Sequence, residues 1–90
     1  MAMIKKELEI INKVGLHARP AAMFVQMANK YTSDVYVEKD SKKVNGKSIM
    51  GIMSLGVARG EKIVIITDGP DEEEAMEGIT NLIEKTLKDF

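Results

Sequence analysis

The sequence predicts a two-layer α/β sandwich in which one antiparallel sheet carries all of its helices on a single face. Hydrophobic periodicity divides the chain into elements in the order β-α-β-β-α-β-α, and only a short polar turn separates the two middle strands. Because helical segments precede and follow that hairpin, the simplest arrangement packs the helices together on one side of the sheet. The opposite face is then largely solvated.

The spacing of apolar residues predicts the first strand and the first helix. Residues 4–11 alternate between apolar positions, including Ile4 and Leu8, and charged ones such as Glu7, which predicts a half-buried strand. From Ala18 to about Asn29, apolar residues recur at intervals of three and four, which predicts a helix. Its apolar positions are Ala21, Phe24, Val25 and Ala28.

The middle of the chain contains a predicted hairpin and a short helix. Residues 34–40 and 42–47 are short β-rich or turn-flanked pieces that meet at the polar sequence KDSK. A short helix follows, opened by Ser48, which can cap its free amides, and closed by Gly56.

The last strand and helix carry the clearest signals. In residues 61–69, four consecutive apolar residues are all β-branched, which predicts a central strand. Asp71 and Glu74 have the spacing of a capping box, and an apolar stripe then runs to the C-terminus despite Gly78. The residues of that stripe are Ala75, Met76, Ile79, Leu82, Ile83 and Leu87.

Composition limits the chemistry that the chain can perform. Ninety residues are expected to form one domain, residues 1–90, with an ordinary 44% hydrophobic and 30% charged content. With no cysteine and one histidine, neither a disulfide framework nor a thiolate or multi-histidine metal site can form, and we expect no metal and no cofactor.

Composition also bears on partners and location. No apolar run is long enough to span a bilayer, and the lysines near the N-terminus lead into a strand-like run instead of a secretory leader, so we expect a cytoplasmic protein without membrane insertion. The element order is also compatible with another function, that of a small β-α-β domain that binds RNA. The net charge of −1 and the 4% aromatic content argue against it, so nucleic acid is not the expected partner.

The only histidine lies where a helix is predicted to begin. Gly15 permits a sharp turn out of the first strand, His17 falls at the cap position, and Ala18, Arg19 and Pro20 form the first turn. Four backbone amides at a helix start lack partners within the helix, and together with the helix dipole they can bind an anion. Proline removes a donor that the helix did not need.

These residue types suit phosphoryl transfer. Arg19, the helix start and the nearby Lys13 are sources of positive charge that we expect to disfavour the imidazolium form of His17, and a neutral ring nitrogen is a nucleophile. The amides and the guanidinium are placed to receive charge that develops on a phosphoryl group. A phosphohistidine carrier fits better than a hydrolase, because no second acid or base in the motif can activate water. The same residues also suit a passive anion site or a surface histidine that simply caps the helix.

The short helix holds more apolar residues than it can bury. At about 100° per residue, Ile49, Met50 and Met53 share one side, while Ile52 and Leu55 share the other. We expect Ile52 and Leu55 to enter the core and the other three to form an exposed patch that recognises protein partners, for which flexible methionine is well suited. Inward packing of all five residues is the alternative.

The stretches GLHARPAA and SIMGIMSLG, followed by a terminal amphipathic helix, resemble the HPr family of the bacterial phosphoenolpyruvate-dependent sugar phosphotransferase system along essentially the whole chain. The resemblance implies an open-faced sandwich with sheet order 1-4-2-3. It also implies that His17 is phosphorylated on Nδ1 by phosphorylated Enzyme I and passes the group to Enzyme IIA domains. Arg19 and the backbone amide of Ala18 then stabilise the phosphate, and the protein is a carrier, not an enzyme.

The same resemblance implies a docking surface and a regulatory site. The apolar patch joins Ala22 and Gln26 of the first helix at the Enzyme I and Enzyme IIA interfaces. Ser48, an N-cap on structural grounds, becomes a substrate of the ATP-dependent HPr kinase/phosphorylase, and the product is a corepressor for the catabolite regulator CcpA in carbon catabolite repression. The alternative is a purely regulatory, Crh-like paralogue acting through Ser48, but such paralogues lack the active histidine. We expect a monomer, because the patch is small.

Overall fold

The computed structural model describes residues 3–90, so the first two residues of the predicted 1–90 domain lie outside the described residues. The elements follow the predicted order. The strands are β1 (Ile4–Glu9), β2 (Asp34–Lys39), β3 (Lys42–Asn45) and β4 (Lys62–Asp68), and the helices are α1 (Ala18–Ala28), α2 (Ile49–Ser54) and α3 (Glu72–Asn81).

The four strands form one antiparallel sheet in the order β1-β4-β2-β3. β4 lies between β1 and β2, which confirms both the predicted central strand and the order implied by the family resemblance. Its side chains Ile63 and Ile65 are fully buried against the helices, because the β-branched run faces the core at alternate positions. The three helices cover this face, so the open-faced sandwich is confirmed.

The other face of the sheet is mostly solvated, as predicted. Lys5 and Glu7 are exposed there, but Ile66 is only 4% exposed although it lies outside the main core. Ile66 is paired with Lys5 on one side and with Tyr36 on the other. Because paired residues share a sheet face, the long side chains of these two neighbours lie on either side of Ile66.

The predicted hairpin joins β2 and β3 through a two-residue turn. Asp40 and Ser41 both have positive φ, of 51° and 71°. This is the pattern of a type I′ turn, whose twist matches that of the flanking strands. The short polar connection therefore fixes the register in which Val37 faces Val44.

The C-terminal helix differs from the prediction in two ways. Its apolar stripe is buried throughout, as expected, but the α-helix ends at Asn81 and continues as a π-helical turn over Leu82–Thr86 and a 3₁₀ turn over Leu87–Asp89. The predicted capping box is wrong, because the Asp71 side chain makes no cap bond to the helix.

The Asp71 carboxylate instead joins the helix start to the loop before β2. It accepts hydrogen bonds from the backbone amides of Thr32 (2.9 Å) and Ser33 (2.8 Å) and from the Ser33 hydroxyl. These bonds, above all the one from the Ser33 hydroxyl, lower the pKa of Asp71 below its ordinary value near 3.8. Donors distant in sequence therefore replace the local cap.

Candidate functional site

His17 is the N-cap residue of α1, as predicted, and its side chain is exposed. Its backbone is extended (φ −78°, ψ −170°), and its carbonyl accepts the first helical bond, from the Ala21 amide, at 2.8 Å. The imidazole itself makes no cap hydrogen bond. The helix thus begins at His17 without using the ring, which leaves both nitrogens available for chemistry.

Two backbone amides beside the ring are available to an anion. Ala18 and Arg19 occupy the first helical turn, where amides have no acceptor within the helix. Pro20, the next residue, has no N–H and is buried, so it anchors the turn without adding a donor. The local sequence therefore directs two donors and the positive end of the helix dipole toward His17.

The loop before His17 is held by close packing against the loop that follows α2. Gly15 has φ +61°, and a Cβ atom there would lie 2.2 Å from the Val57 carbonyl oxygen. The Leu16 amide donates to that same oxygen at 3.0 Å, and the Asn12 side-chain amide donates to the Gly15 carbonyl at 2.8 Å. Glycine is required here both for its backbone conformation and for the approach of the second loop.

The second loop, residues 55–61, is braced by an ion pair. Glu61 accepts hydrogen bonds from the Ala58 amide at 2.6 Å and from Lys39 Nζ at 3.0 Å, and Lys39 also donates to the carbonyls of Leu55 and Gly56. The bond from the Ala58 amide and then the contact with Lys39 lower the pKa of Glu61 below its ordinary value near 4.5. The wall opposite His17 is therefore held in place.

The two loops enclose a cleft of about 340 Å³. Its lining includes His17 and Met53, with Lys13 and Arg59 as the basic side chains and no carboxylate. The single ion pair within residues 3–90 joins Lys39 to Glu61, so neither basic group of the cleft is neutralised by one. The cleft suits an anionic group brought to the histidine.

Arg59 is the member of this cleft that the sequence reasoning missed. The sequence offers only a weak signal, an arginine beside Gly60 in a connection between a helix and a strand. Its place near His17 depends on β1 pairing with β4, because that pairing brings the end of β1 beside the start of β4. Ile10 extends the contact beyond β1, through backbone bonds to Gly60 and Glu61.

Arg19 lies on the exposed side of the first helical turn, and its guanidinium carbon is 5.3 Å from the centre of the Phe90 ring. This is a cation–π distance. The structure thus places the predicted phosphate-stabilising arginine against the last residue of the chain, which the sequence reasoning did not include in the site.

The predicted apolar patch is exposed. Ile49, Met50 and Met53 are 40%, 75% and 38% exposed, whereas Ile52 and Leu55 are buried, so the division of the two sides of α2 is confirmed. Met53 also lines the cleft with His17, which makes the patch continuous with the histidine.

The two predicted partner-binding residues of α1 lie apart from that cleft. Ala22 is half-buried, and Gln26, four residues further along the same helix face, is exposed. Gln26 lines a separate groove that includes Met23 of α1, and Leu82 and Thr86 of the C-terminal segment. The structure therefore places them on a helix that leads away from His17.

Ser48 is the N-cap of α2, as predicted. Its Oγ accepts a hydrogen bond from the Gly51 amide at 3.1 Å, and the residue is half-buried. The hydroxyl lies at the start of the helix that carries the patch, where added negative charge would meet unpaired amides as well as the apolar surface.

Residues 3–90 contain neither a candidate metal site nor a candidate membrane span. Within residues 3–90, no three metal-ligating side chains are grouped closely enough to hold an ion. None of the helices in that part of the chain has the length and hydropathy to cross a bilayer.

The fold and the site together define a class of small open-faced sandwich proteins. Such a protein presents one histidine at the N-cap of a helix, with an imidazole that makes no cap bond, beside a second helix that carries an exposed apolar patch. A family model for the phosphorylation site of the HPr component of the phosphotransferase system matches residues 4–85. The chain belongs to the HPr family.

Relatives of two kinds are similar to this chain. The HPr-like protein Crh of Halalkalibacterium halodurans is 57% identical over 92% of this chain and 99% of its own length. The phosphocarrier protein HPr of Neisseria meningitidis is 53% identical over 90% of this chain and 91% of its own length. Family membership alone therefore does not choose between the carrier and the regulatory kind.

Solved structures of the family agree in fold and differ in assembly. A crystal structure of HPr from Thermoanaerobacter tengcongensis is 54% identical, with a TM-score of 0.92 over 97% of this chain and 98% of that chain. A crystal structure of Bacillus subtilis Crh, a dimer with a swapped domain, is 51% identical, with a TM-score of 0.74 over 91% of this chain and 94% of that chain. Because a protein this similar in sequence and fold forms a dimer, the small size of the patch alone does not support the expectation of a monomer.

Proposed function

We propose that this protein is a phosphoryl carrier in which His17 accepts a phosphoryl group from phosphorylated Enzyme I and passes it to Enzyme IIA domains. The observation that carries the proposal is the exposed His17 imidazole, which makes no cap bond although it lies beside the unpartnered amides of Ala18 and Arg19. A ring that served only to cap the helix would accept a hydrogen bond from the Arg19 amide, because the Ala18 amide is not a cap partner and Pro20 has no N–H.

The transfer is a displacement at phosphorus. The Nδ1 lone pair of His17 attacks the phosphoryl group, a new N–P bond forms, and the bond to the donor breaks with its electron pair leaving on the donor. Charge on the three phosphoryl oxygens is stabilised by the amides of Ala18 and Arg19 and by the Arg19 guanidinium. Transfer onward reverses these steps with the acceptor as the nucleophile.

The cleft favours transfer over loss to water. Its lining contains no carboxylate, and His17 is its only imidazole, so once His17 is phosphorylated no general base remains there to activate water. The protein then acts as a co-substrate of its partners, without a cofactor and without a turnover reaction of its own.

Phosphorylation by Enzyme I and phosphoenolpyruvate tests the carrier function. We expect one acid-labile phosphate on His17 and none on a His17→Ala variant, while the same variant still accepts phosphate from ATP on Ser48. Labelling from phosphoenolpyruvate that survives in His17→Ala would overturn the proposal.

Ser48 supports a second, regulatory function. We propose that HPr kinase/phosphorylase modifies its Oγ and that the product binds CcpA in carbon catabolite repression. The phosphate would add about −1.5 to −2 charges next to the patch of Ile49, Met50 and Met53. A phosphorylated, negatively charged partner would be repelled there, so the modification would slow carriage of phosphate.

A purely regulatory, Crh-like protein is the competing function, and the 57% identical Crh relative favours it. Retention of both His17 and Arg19 argues for the carrier, because the regulatory branch needs neither. Labelling of Ser48 by the kinase, with no labelling of His17 by Enzyme I, would decide for the regulatory protein.

We propose that the active form is a cytoplasmic monomer of one domain, residues 1–90. One chain on its own forms a lined cleft around His17, which supports presentation of the histidine by a monomer. Light scattering should give the monomer mass for the species that Enzyme I phosphorylates. Activity confined to a dimer would contradict this assembly.

A further inference from the structure

The C-terminal segment reaches Arg19 through a change in helix type. After Asn81 the chain forms a π-helical turn and then a 3₁₀ turn, and the Phe90 amide donates to the Leu87 carbonyl at 2.9 Å. Leu87 is fully buried and Phe90 is half-buried against the core. The backbone bond to Leu87 and the packing of Phe90 against the core therefore hold the Phe90 ring in place.

That anchored ring meets Arg19. The guanidinium carbon lies 5.3 Å from the Phe90 ring centre, within the range of a cation–π contact. A guanidinium can stack on an aromatic face and keep the N–H groups at its edge free. A contact of this kind restricts the side chain and can leave its donors to a phosphate.

We infer that Phe90 is a positioning residue for phosphoryl transfer, holding Arg19 ready to donate to the phosphoryl oxygens at His17. This inference rests on the proposed carrier function and adds a residue and a role to it. Preorganisation matters here because an exposed arginine otherwise loses rotamer freedom each time it binds the phosphoryl group.

The test is the kcat/KM for phosphorylation of the full chain by Enzyme I and phosphoenolpyruvate. Phe90→Leu should lower kcat/KM about two- to fivefold, as expected for loss of one exposed cation–π contact, and Phe90→Tyr should restore it. In an Arg19→Ala background, Phe90→Leu should cause no further loss. The Arg19 Nε–H resonance should move in Phe90→Leu and return toward its original position in Phe90→Tyr.

A matched control lies on the open face of the sheet. Lys43 Nζ is 5.1 Å from the centre of the Tyr36 ring, a contact of the same kind on the face opposite the helices. Tyr36→Leu should leave kcat/KM unchanged. Unfolding of each variant by denaturant shows whether a loss of kcat/KM comes from lower stability of the fold or from the missing contact with Arg19.

Three outcomes would overturn the inference: an unchanged kcat/KM in Phe90→Leu, an equal loss in the Arg19→Ala background, or failure of Phe90→Tyr to restore the rate. Each of these leaves the carrier function intact, because the unaltered protein is still phosphorylated. Absence of phosphate on the unaltered protein would instead overturn the carrier function and this inference together.

Discussion

The imidazole of His17 is available because the helix begins there without bonding to it. Ala18 and Arg19 supply unpartnered amides, and the cleft adds basic groups from outside the motif. A nucleophile among fixed donors needs little rearrangement as charge develops in the transition state. At the residue scale, the proposed site is thus an accessible ring beside groups that can receive anionic charge.

Arg59 should attract the negatively charged phosphoryl group that phosphorylated Enzyme I brings to the cleft. We expect Arg59→Glu to raise the KM for the carrier about tenfold with little change in kcat, because the cleft loses one positive charge and gains a negative one. The difference in KM between Arg59→Glu and the unaltered protein should shrink at high salt. Steady-state phosphorylation of both proteins at two salt concentrations measures this difference.

Lys5→Glu is the matched control for Arg59→Glu, since it makes the same charge change at an exposed position on the open face of the sheet. An equal rise in KM in both variants would show that net charge, and not the cleft, is responsible.

At the scale of elements, the sequence pattern predicted those features that depend on residues close together in the chain. The Gly15 turn, the Ser48 cap and the outward side of α2 all follow from nearby residues. The position of Arg59 does not, because it depends on the pairing of β1 with β4, far apart in the chain. Asp71 illustrates the same limit, since its nearest donor groups lie 38 positions away and outcompete the cap that its spacing predicts.

Close approach of the two loops makes Gly15 sensitive to any side chain. We expect Gly15→Ala to lower the free energy of unfolding by about 1–3 kcal/mol beyond the cost of its positive φ, because the new Cβ would overlap the Val57 carbonyl. Gly56→Ala is the control: φ is +59° there, and no atom beyond Gly56 and its two chain neighbours lies within 4 Å of the added group. Equal losses in the two variants would contradict the role of the loop contact.

Two substitutions of Ser48 distinguish the effect of the helix cap on stability from the effect of negative charge on docking. Ser48→Ala should lower the free energy of unfolding by about 1 kcal/mol through loss of the cap to Gly51, whereas Ser48→Asp should keep a cap and stay close to the unaltered protein. Only Ser48→Asp should weaken binding to Enzyme I, which calorimetric titration measures. Weaker binding by Ser48→Ala instead would show that helix formation, not charge, controls docking.

At the scale of the whole molecule, carboxylates tie distant parts of the chain together. Asp71 joins the start of α3 to the loop before β2, and Glu61 braces the loop opposite His17. Hydrogen bonds made in the folded protein favour the anionic form of both groups, so their ionisation contributes to the stability of the fold.

Acid should therefore weaken the fold at these two points. Because the folded pKa of Asp71 lies below its ordinary value near 3.8, its contribution is present in full above that pH and is lost as pH falls through the folded pKa. Denaturation at a series of pH values should show a smaller acid dependence in Asp71→Asn. An unchanged acid dependence would contradict this assignment.

The most direct test of the central claim is phosphorus and nitrogen magnetic resonance of the full chain after incubation with Enzyme I and phosphoenolpyruvate. We predict one phosphoramidate signal, bonded to Nδ1 of His17 and absent from His17→Ala. An unmodified His17 ring in the presence of an active donor, or a phosphate on any other residue, would contradict the claim that this histidine carries the phosphoryl group.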